Sequence, residues 1–173
     1  MVPTSSTTIS LILGDCLATT AMYQKKFTKE KFKIFHPGGN IGKSLMLAKD
    51  LMITGNKMPI INYKKTFTEA LKIMNQKKLG IVVLRKKKYI YGIVTDGDLR
   101  RELKNYNDKN LEDFATTNPL VVNENMPASK ALAIMNEKKI TSILVVSDRD
   151  YKKKGKILKG VIHIHKLLRS GIQ

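Results

Sequence analysis

Cysteine and tryptophan are the scarcest side chains of this 173-residue chain: there is one cysteine, Cys16, and no tryptophan. A lone cysteine cannot close an internal disulfide. That excludes the disulfide-stapled scaffolds and fits a reducing compartment, so the expected location is the cytoplasm. Long apolar runs are missing as well. The longest, such as Gly80-Ile81-Val82-Val83-Leu84, are strand-length and far short of the roughly 20 residues a membrane-spanning helix needs. No membrane partner is therefore expected. The N-terminus lacks the charged-then-apolar order of a secretory signal, because Pro3-Thr4-Ser5-Ser6-Thr7-Thr8 interrupts it. Acidic residues are few, 14 against 32 lysines and arginines, which leaves a net charge of +18. The excess is mostly lysine in scattered clusters: Lys25-Lys26, Lys64-Lys65, Lys77-Lys78, Lys86-Lys87-Lys88 and Lys152-Lys153-Lys154. With no reading helix and no interleaved stacking aromatics, this reads as a solvated surface rather than a nucleic-acid interface. Its field still helps to recruit small anions.

What the sequence does contain is an internal repeat. Ala70-Leu71-Lys72-Ile73-Met74-Asn75-Gln76-Lys77-Lys78 is matched by Ala131-Leu132-Ala133-Ile134-Met135-Asn136-Glu137-Lys138-Lys139. Both copies run on into an apolar stretch, Ile81–Leu84 and Ser142–Val146, and both then pass a lysine-rich turn. A second apolar stretch follows, Gly92-Ile93-Val94 against Gly160-Val161-Ile162, with the extra residues of the second copy falling between Ser147 and Lys156. Insertions cost least in such a turn. Each copy reads as strand, helix, strand, strand, helix. Thr66 and Glu69 have capping-box spacing, and Phe67, Ala70, Leu71 and Met74 mark one face of an amphipathic helix. Pro127 falls near the start of the matching helix, where its missing N–H does no harm. The methionines on these faces read as core filling.

This pattern resembles a tandem pair of CBS (cystathionine-β-synthase-like) domains over about Lys49 to Gln173. Gly92-Ile93-Val94-Thr95-Asp96-Gly97-Asp98-Leu99-Arg100 is similar to that family's ligand-binding signature. The resemblance implies a mixed α/β (α+β) fold, with each repeat β-α-β-β-α. It also implies a pseudo-twofold arrangement whose clefts bind adenosine nucleotides or other phosphorylated ligands. Thr95, Asp96 and Asp98 are the first ligand-binding candidates. A carboxylate at position 98 accepts from ribose hydroxyls, while a hydroxyl and helix N-terminal N–H groups hold phosphate oxygens. Helix capping explains the same residue types without a ligand. Thr66 and Asp113, which begin corresponding parts of the two repeats, are secondary candidates, and capping accounts for them too. In the second copy His163 replaces Thr95 and Lys166 replaces Asp98, so that site is expected to be lost or turned toward acidic ligands. His163 and His165 sit two apart and lack a third ligand, so no metal site is expected.

The first fifty residues carry a second resemblance. The Pro3–Thr8 run, Leu13-Gly14-Asp15-Cys16-Leu17-Ala18 and Phe35-His36-Pro37-Gly38-Gly39 occur in that order before the repeats. Together they resemble the end of the sugar isomerase domain of bacterial D-arabinose 5-phosphate isomerases, which carry a CBS pair behind it. The expected division is a helical remnant of that domain over 1–47, one repeat over 48–108 and the other over 109–173. The resemblance implies exchange of ribulose 5-phosphate and arabinose 5-phosphate, with no cofactor, for the synthesis of an acidic envelope sugar. It assigns His36 as a catalytic residue, whose titration range suits proton transfer or ring opening. A histidine before Pro-Gly-Gly also serves as a plain turn residue. Most of the isomerase domain, including its phosphate loop and catalytic acids, has no counterpart here, so the chain alone is expected to be inactive unless another chain supplies that half, and a sugar phosphate is an expected ligand only in that case. The implied regulatory ligand is an adenosine nucleotide or a cytidine-linked acidic sugar, and the expected assembly is a homo-oligomer. A free-standing nucleotide sensor acting on a partner is the alternative reading.

Overall fold

The computed structural model describes residues 3–28, 31–32, 35, 39–103 and 110–172. These divide into two compact units, Met1–Leu45 and Met46–Gln173. The first unit holds helix α1 (Thr4–Gln24) and the short helix α2 (Asn40–Ser44). α1 buries none of its residues, and its apolar side chains are spread around the axis instead of gathered on one stripe. Ile9, Leu11, Ile12, Leu13 and Leu17 all stand exposed. An all-round apolar helix is the kind normally enclosed on several sides. His36, with Pro37 and Gly38, lies outside the described residues.

The second unit begins with a one-turn helix, α3 (Ala48–Leu51). The first repeat follows as β1 (Ile60–Asn62), α4 (Phe67–Lys77), β2 (Ile81–Lys86), β3 (Tyr89–Thr95) and α5 (Asp96–Glu102). The second repeat runs β4 (Val121–Asn123), α6 (Ala128–Glu137), β5 (Ser142–Val146), α7 (Asp148–Tyr151), β6 (Leu158–His163) and α8 (Ile164–Arg169). The strand-helix-strand-strand-helix order expected of each copy is present. The second repeat carries an extra single turn, α7, which Ser147 caps by accepting from the Asp150 N–H. In each three-stranded sheet the middle strand is parallel to the first and antiparallel to the third. Even the irregularities repeat, at Leu84/Arg85 in one sheet and Val145/Val146 in the other.

Ile81–Leu84 and Ser142–Val146 are buried throughout, the mark of strands covered on both faces. Alternate residues serve different cores. Val82 and Leu84 face the helical side with Phe67, Ala70, Met74 and Leu99. Ile143 and Val145 do the same with Leu132, Met135 and Leu167. Ile81, Val83 and Leu144 meet Leu79 and Val161 in a third cluster shared by the two sheets. The helices therefore lie outside and the sheets meet in the middle.

Each repeat is also completed by the segment that leads into the other. Ala48 and Leu51 of α3 are buried in the core of the second repeat. The Ala48 N–H donates to the Met126 carbonyl at 2.8 Å, and Ile53 bridges Val161 with N···O distances of 2.8 and 3.0 Å. Reciprocally, Leu111 and Phe114, which precede the second repeat, pack into the core of the first. Thr116 bridges Ile93 with N···O distances of 2.9 and 3.0 Å. The exchanged pieces make the close contacts at Gly92 and Gly160. A Cβ on Gly92 would lie 2.6 Å from the backbone oxygen of Thr116, whereas the atoms nearest to one on Gly160 belong to the side chain of Met52, the closest at 2.7 Å. Gly92→Ala is therefore expected to destabilise the fold by about 1–3 kcal/mol, because backbone has to move. Gly160→Ala should cost less, because Met52 has rotamers to escape into. Urea titration of both variants checks the ranking, and equal midpoints would contradict it.

Candidate functional site

The sheets meet where the chain enters β2 and β5, at Gly80 and Thr141. The backbone repeats itself there: the Gly80 carbonyl accepts from the Asp96 N–H at 3.0 Å, and the Thr141 carbonyl accepts from the Ile164 N–H at 2.9 Å. Ser142, buried at the start of β5, ties the repeats together by donating from its hydroxyl to the Leu79 carbonyl at 2.7 Å. On one side of this junction opens a cleft of about 450 Å³, within the range of small-molecule sites. The β3–α5 turn supplies Thr95, Asp96 and Gly97. The α6–β5 turn of the other repeat supplies Lys139, Ile140 and Thr141, and Thr116 contributes from the exchanged lead-in. Ile81, Ile93, Leu120 and Leu144 give the cleft an apolar lining suited to a flat ring.

Of the residues expected to bind ligand, Thr95 and Asp96 line this cleft and Asp98 stands behind them. The turn is a capping box. Asp98 Oδ2 accepts from the Thr95 N–H at 2.8 Å and from the Thr95 hydroxyl at 2.7 Å, while Thr95 Oγ1 accepts from the Asp98 N–H at 3.2 Å. Asp98 Oδ1 pairs with the exposed Arg101 guanidinium. Asp96 Oδ1 accepts from the Gly97 N–H at 2.9 Å. The structure puts Thr66 and Asp113 outside the cleft lining. Thr66 caps α4, where the Lys65 ammonium and the Thr66 N–H hold the Glu69 carboxyl down to about 2. Asp113 closes the short 3-10 turn Leu111–Asp113 by accepting from the Asn110 N–H at 3.1 Å.

Residues 48–105 and 111–172 each match the CBS domain family. The chain belongs to that family. Among curated proteins, an uncharacterised Rickettsia prowazekii protein is 40% identical over 172 residues, 98% of this chain and 52% of its own length. The arabinose 5-phosphate isomerase KdsD of Escherichia coli K12 is 37% identical over 177 residues, 99% of this chain and again 52% of its own length. This chain thus spans about half the length of the curated relatives it matches. Among solved structures, the CBS pair of protein MJ0100, in complex with 5'-methylthioadenosine and S-adenosyl-L-methionine, superposes with a TM-score of 0.62 at 21% identity, covering 72% of this chain and 94% of that one. CBSX2 in complex with AMP, a protein of Arabidopsis thaliana, superposes with a TM-score of 0.60 at 22% identity, covering 73% of this chain and 96% of that one.

The second CBS repeat is not a chemical copy of the first. His163 pairs with Ser142 in register as Thr95 pairs with Ile81, so the substitution read from the sequence holds in space. His163 Nδ1 caps α8 by accepting from the His165 N–H at 3.2 Å, and the two imidazoles lie 5.0 Å apart. Among the described residues, no group of three or more His, Cys, Asp and Glu side chains is placed to hold a metal ion. The β3–α5 signature marks one wall of the cleft in the sequence, whereas Lys139, Thr116 and Thr141 on the other wall belong to no such signature. The signal was present, because the repeat alignment pairs Lys78-Leu79-Gly80 with Lys139-Ile140-Thr141. What it lacked was the exchange that sets the end of one repeat opposite the beginning of the other.

Burial, with a smaller contribution from His165, holds the His163 imidazole below its usual 6.5. The folded state resists a proton that the unfolded chain accepts, so stability is level above that value and declines as pH falls through about 6.5. Protonation at Nδ1 would also remove the acceptor that caps α8. His163→Asn keeps a capping oxygen and should flatten the melting-temperature profile between about pH 7 and 5. An unchanged slope in that variant would show that another group is responsible.

Proposed function

We propose that the 46–173 unit is a sensor for a small nucleotide-like anion, and that it serves as the regulatory part of a D-arabinose 5-phosphate isomerase. The observation that carries the sensor reading is the cleft itself. It sets the Thr95–Asp98 capping box beside an apolar slot of about 450 Å³. A ring fits the slot, and a ribose is within the chemistry of the Asp98 carboxylate once the exposed Arg101 yields its oxygen. Support comes from the two CBS pairs of like fold, whose ligands are adenosine compounds. One site is proposed per chain, because His163 and Lys166 in the second repeat replace the groups suited to ribose. Adenosine nucleotides and a cytidine-linked acidic sugar are the ligands to try, the latter as a feedback signal from the isomerase pathway.

The isomerase part is supported by 37–38% identity to KdsD relatives in alignments that cover 99% of this chain and 52% of those proteins. Under this reading the enzyme interconverts ribulose 5-phosphate and arabinose 5-phosphate in the cytoplasm, as a homo-oligomer. His36 takes part in proton transfer or ring opening there. The uncovered apolar α1 fits a helix that is enclosed by the rest of a catalytic domain. A free-standing sensor is the second reading, favoured because the like-folded solved chains are 94–96% covered by the pair.

Binding to the folded state alone raises the melting temperature by mass action, by about 2.7 kcal/mol at a hundredfold excess over Kd, or roughly 5–10 °C for a unit of this size. A panel of AMP, ADP, ATP, S-adenosylmethionine and a cytidine-linked acidic sugar is expected to contain one such ligand. Asp98→Asn should cut its effect at least by half, and an equal response in that variant would move the ribose elsewhere. Ribulose 5-phosphate incubated with the purified 173-residue chain should stay unconverted. Measurable turnover would show that the catalytic groups lie within this chain.

A further inference from the structure

Once a nucleotide occupies the cleft, its anionic group needs donors, and the usual ones are already engaged. The Thr95 hydroxyl gives its proton to Asp98, the Asp96 N–H goes to the Gly80 carbonyl, and the Gly97 N–H goes to the Asp96 carboxylate. The Ser142 hydroxyl is spent on the Leu79 carbonyl. Among the described residues that line the cleft, three side chains keep free donors: Lys139, Thr116 and Thr141. Lys139 is the lining's one cation, exposed, and its ammonium has no carboxylate within ion-pair distance among the described residues. Asp96, the one carboxylate among the described lining residues, stands on the facing turn and repels an anion from that side.

We infer that Lys139, a residue of the second repeat, is the counter-charge that makes this cleft prefer phosphorylated nucleosides to neutral ones, with the ligand's sugar kept by the signature of the first repeat. The inference rests on the nucleotide reading above and adds the group that sets charge selectivity. An ammonium carries three donors and no acceptor, so it rewards a phosphate and offers a neutral hydroxyl little. Because Lys139 and Asp98 come from different repeats, the ligand is gripped from both at once, and binding stiffens the junction between them.

The test is calorimetry on the full chain with adenosine, AMP, cytidine and CMP, for the wild type, Lys139→Gln and Lys139→Arg. The expected wild-type result is about a tenfold preference for the monophosphate of whichever nucleoside binds. In Lys139→Gln that preference should fall to within about twofold while the neutral nucleoside binds as before, and Lys139→Arg should restore most of it. The preference should also weaken with salt. Lys139 already adopts a left-handed backbone, with φ of 53°, so Lys139→Gly suits that conformation. It should keep or raise the melting temperature while losing the selectivity, which separates charge from folding. A monophosphate preference that survives in both Lys139→Gln and Lys139→Gly overturns the inference alone. If none of the four compounds binds the wild type, the nucleotide reading falls and takes this inference with it.

Discussion

Everything in the 46–173 unit depends on the exchange of lead-in segments. Ala48, Leu51 and Ile53 complete the second repeat, and Leu111, Phe114 and Thr116 complete the first. Without that exchange the third strand of each sheet would have an open backbone edge at Ile93 or Val161, and buried backbone groups left unpaired carry a heavy cost. The cleft inherits its geometry from the same constraint. Thr116 reaches the lining only because its strap is hydrogen-bonded to Ile93, and Gly92 is glycine because that strap passes so close.

A symmetric frame here carries asymmetric chemistry. The backbone bonds at Gly80 and Thr141 are equivalent, and so are the strand registers at Thr95 and His163. Yet one junction ends in a hydroxyl and a carboxylate, and the other in two imidazoles and a lysine. Duplicated folds can diverge in this way because capping needs only a side-chain acceptor, and Thr95 and His163 Nδ1 both provide one. The frame is preserved while the ligand chemistry is free to drift.

Much of the fold was legible in the sequence, because the repeat fixes the period twice. Ala70–Lys78 and Ala131–Lys139 announce the same helix, and the continuous Ile81–Leu84 run announces a strand covered on both faces. The capping box at Thr66 was readable from spacing alone, as was the turn at Thr95. The site was legible on one wall only. Local pattern points to Thr95 and Asp98, but it says nothing of which distant residues stand opposite. Neither Lys139 nor Thr116 carries a local mark of the site. Asp113 looked like a repeat of Thr66 and proved to serve a turn of its own. Those placements follow from tertiary exchange, which leaves no periodic trace in composition or spacing.

The reciprocal lead-ins also define the smallest object that can exist in this architecture. A single repeat, with its own lead-in reaching outward and its own core lacking one, is half of a closed system. It could bury its apolar surface only by meeting another copy and trading the same piece. The linked pair is thus a homodimer written into one chain, and covalent linkage keeps the local concentration of the partner high whatever the protein concentration. Because the halves are linked, neither has to serve as its own partner, so one junction can carry a carboxylate while the other carries histidines.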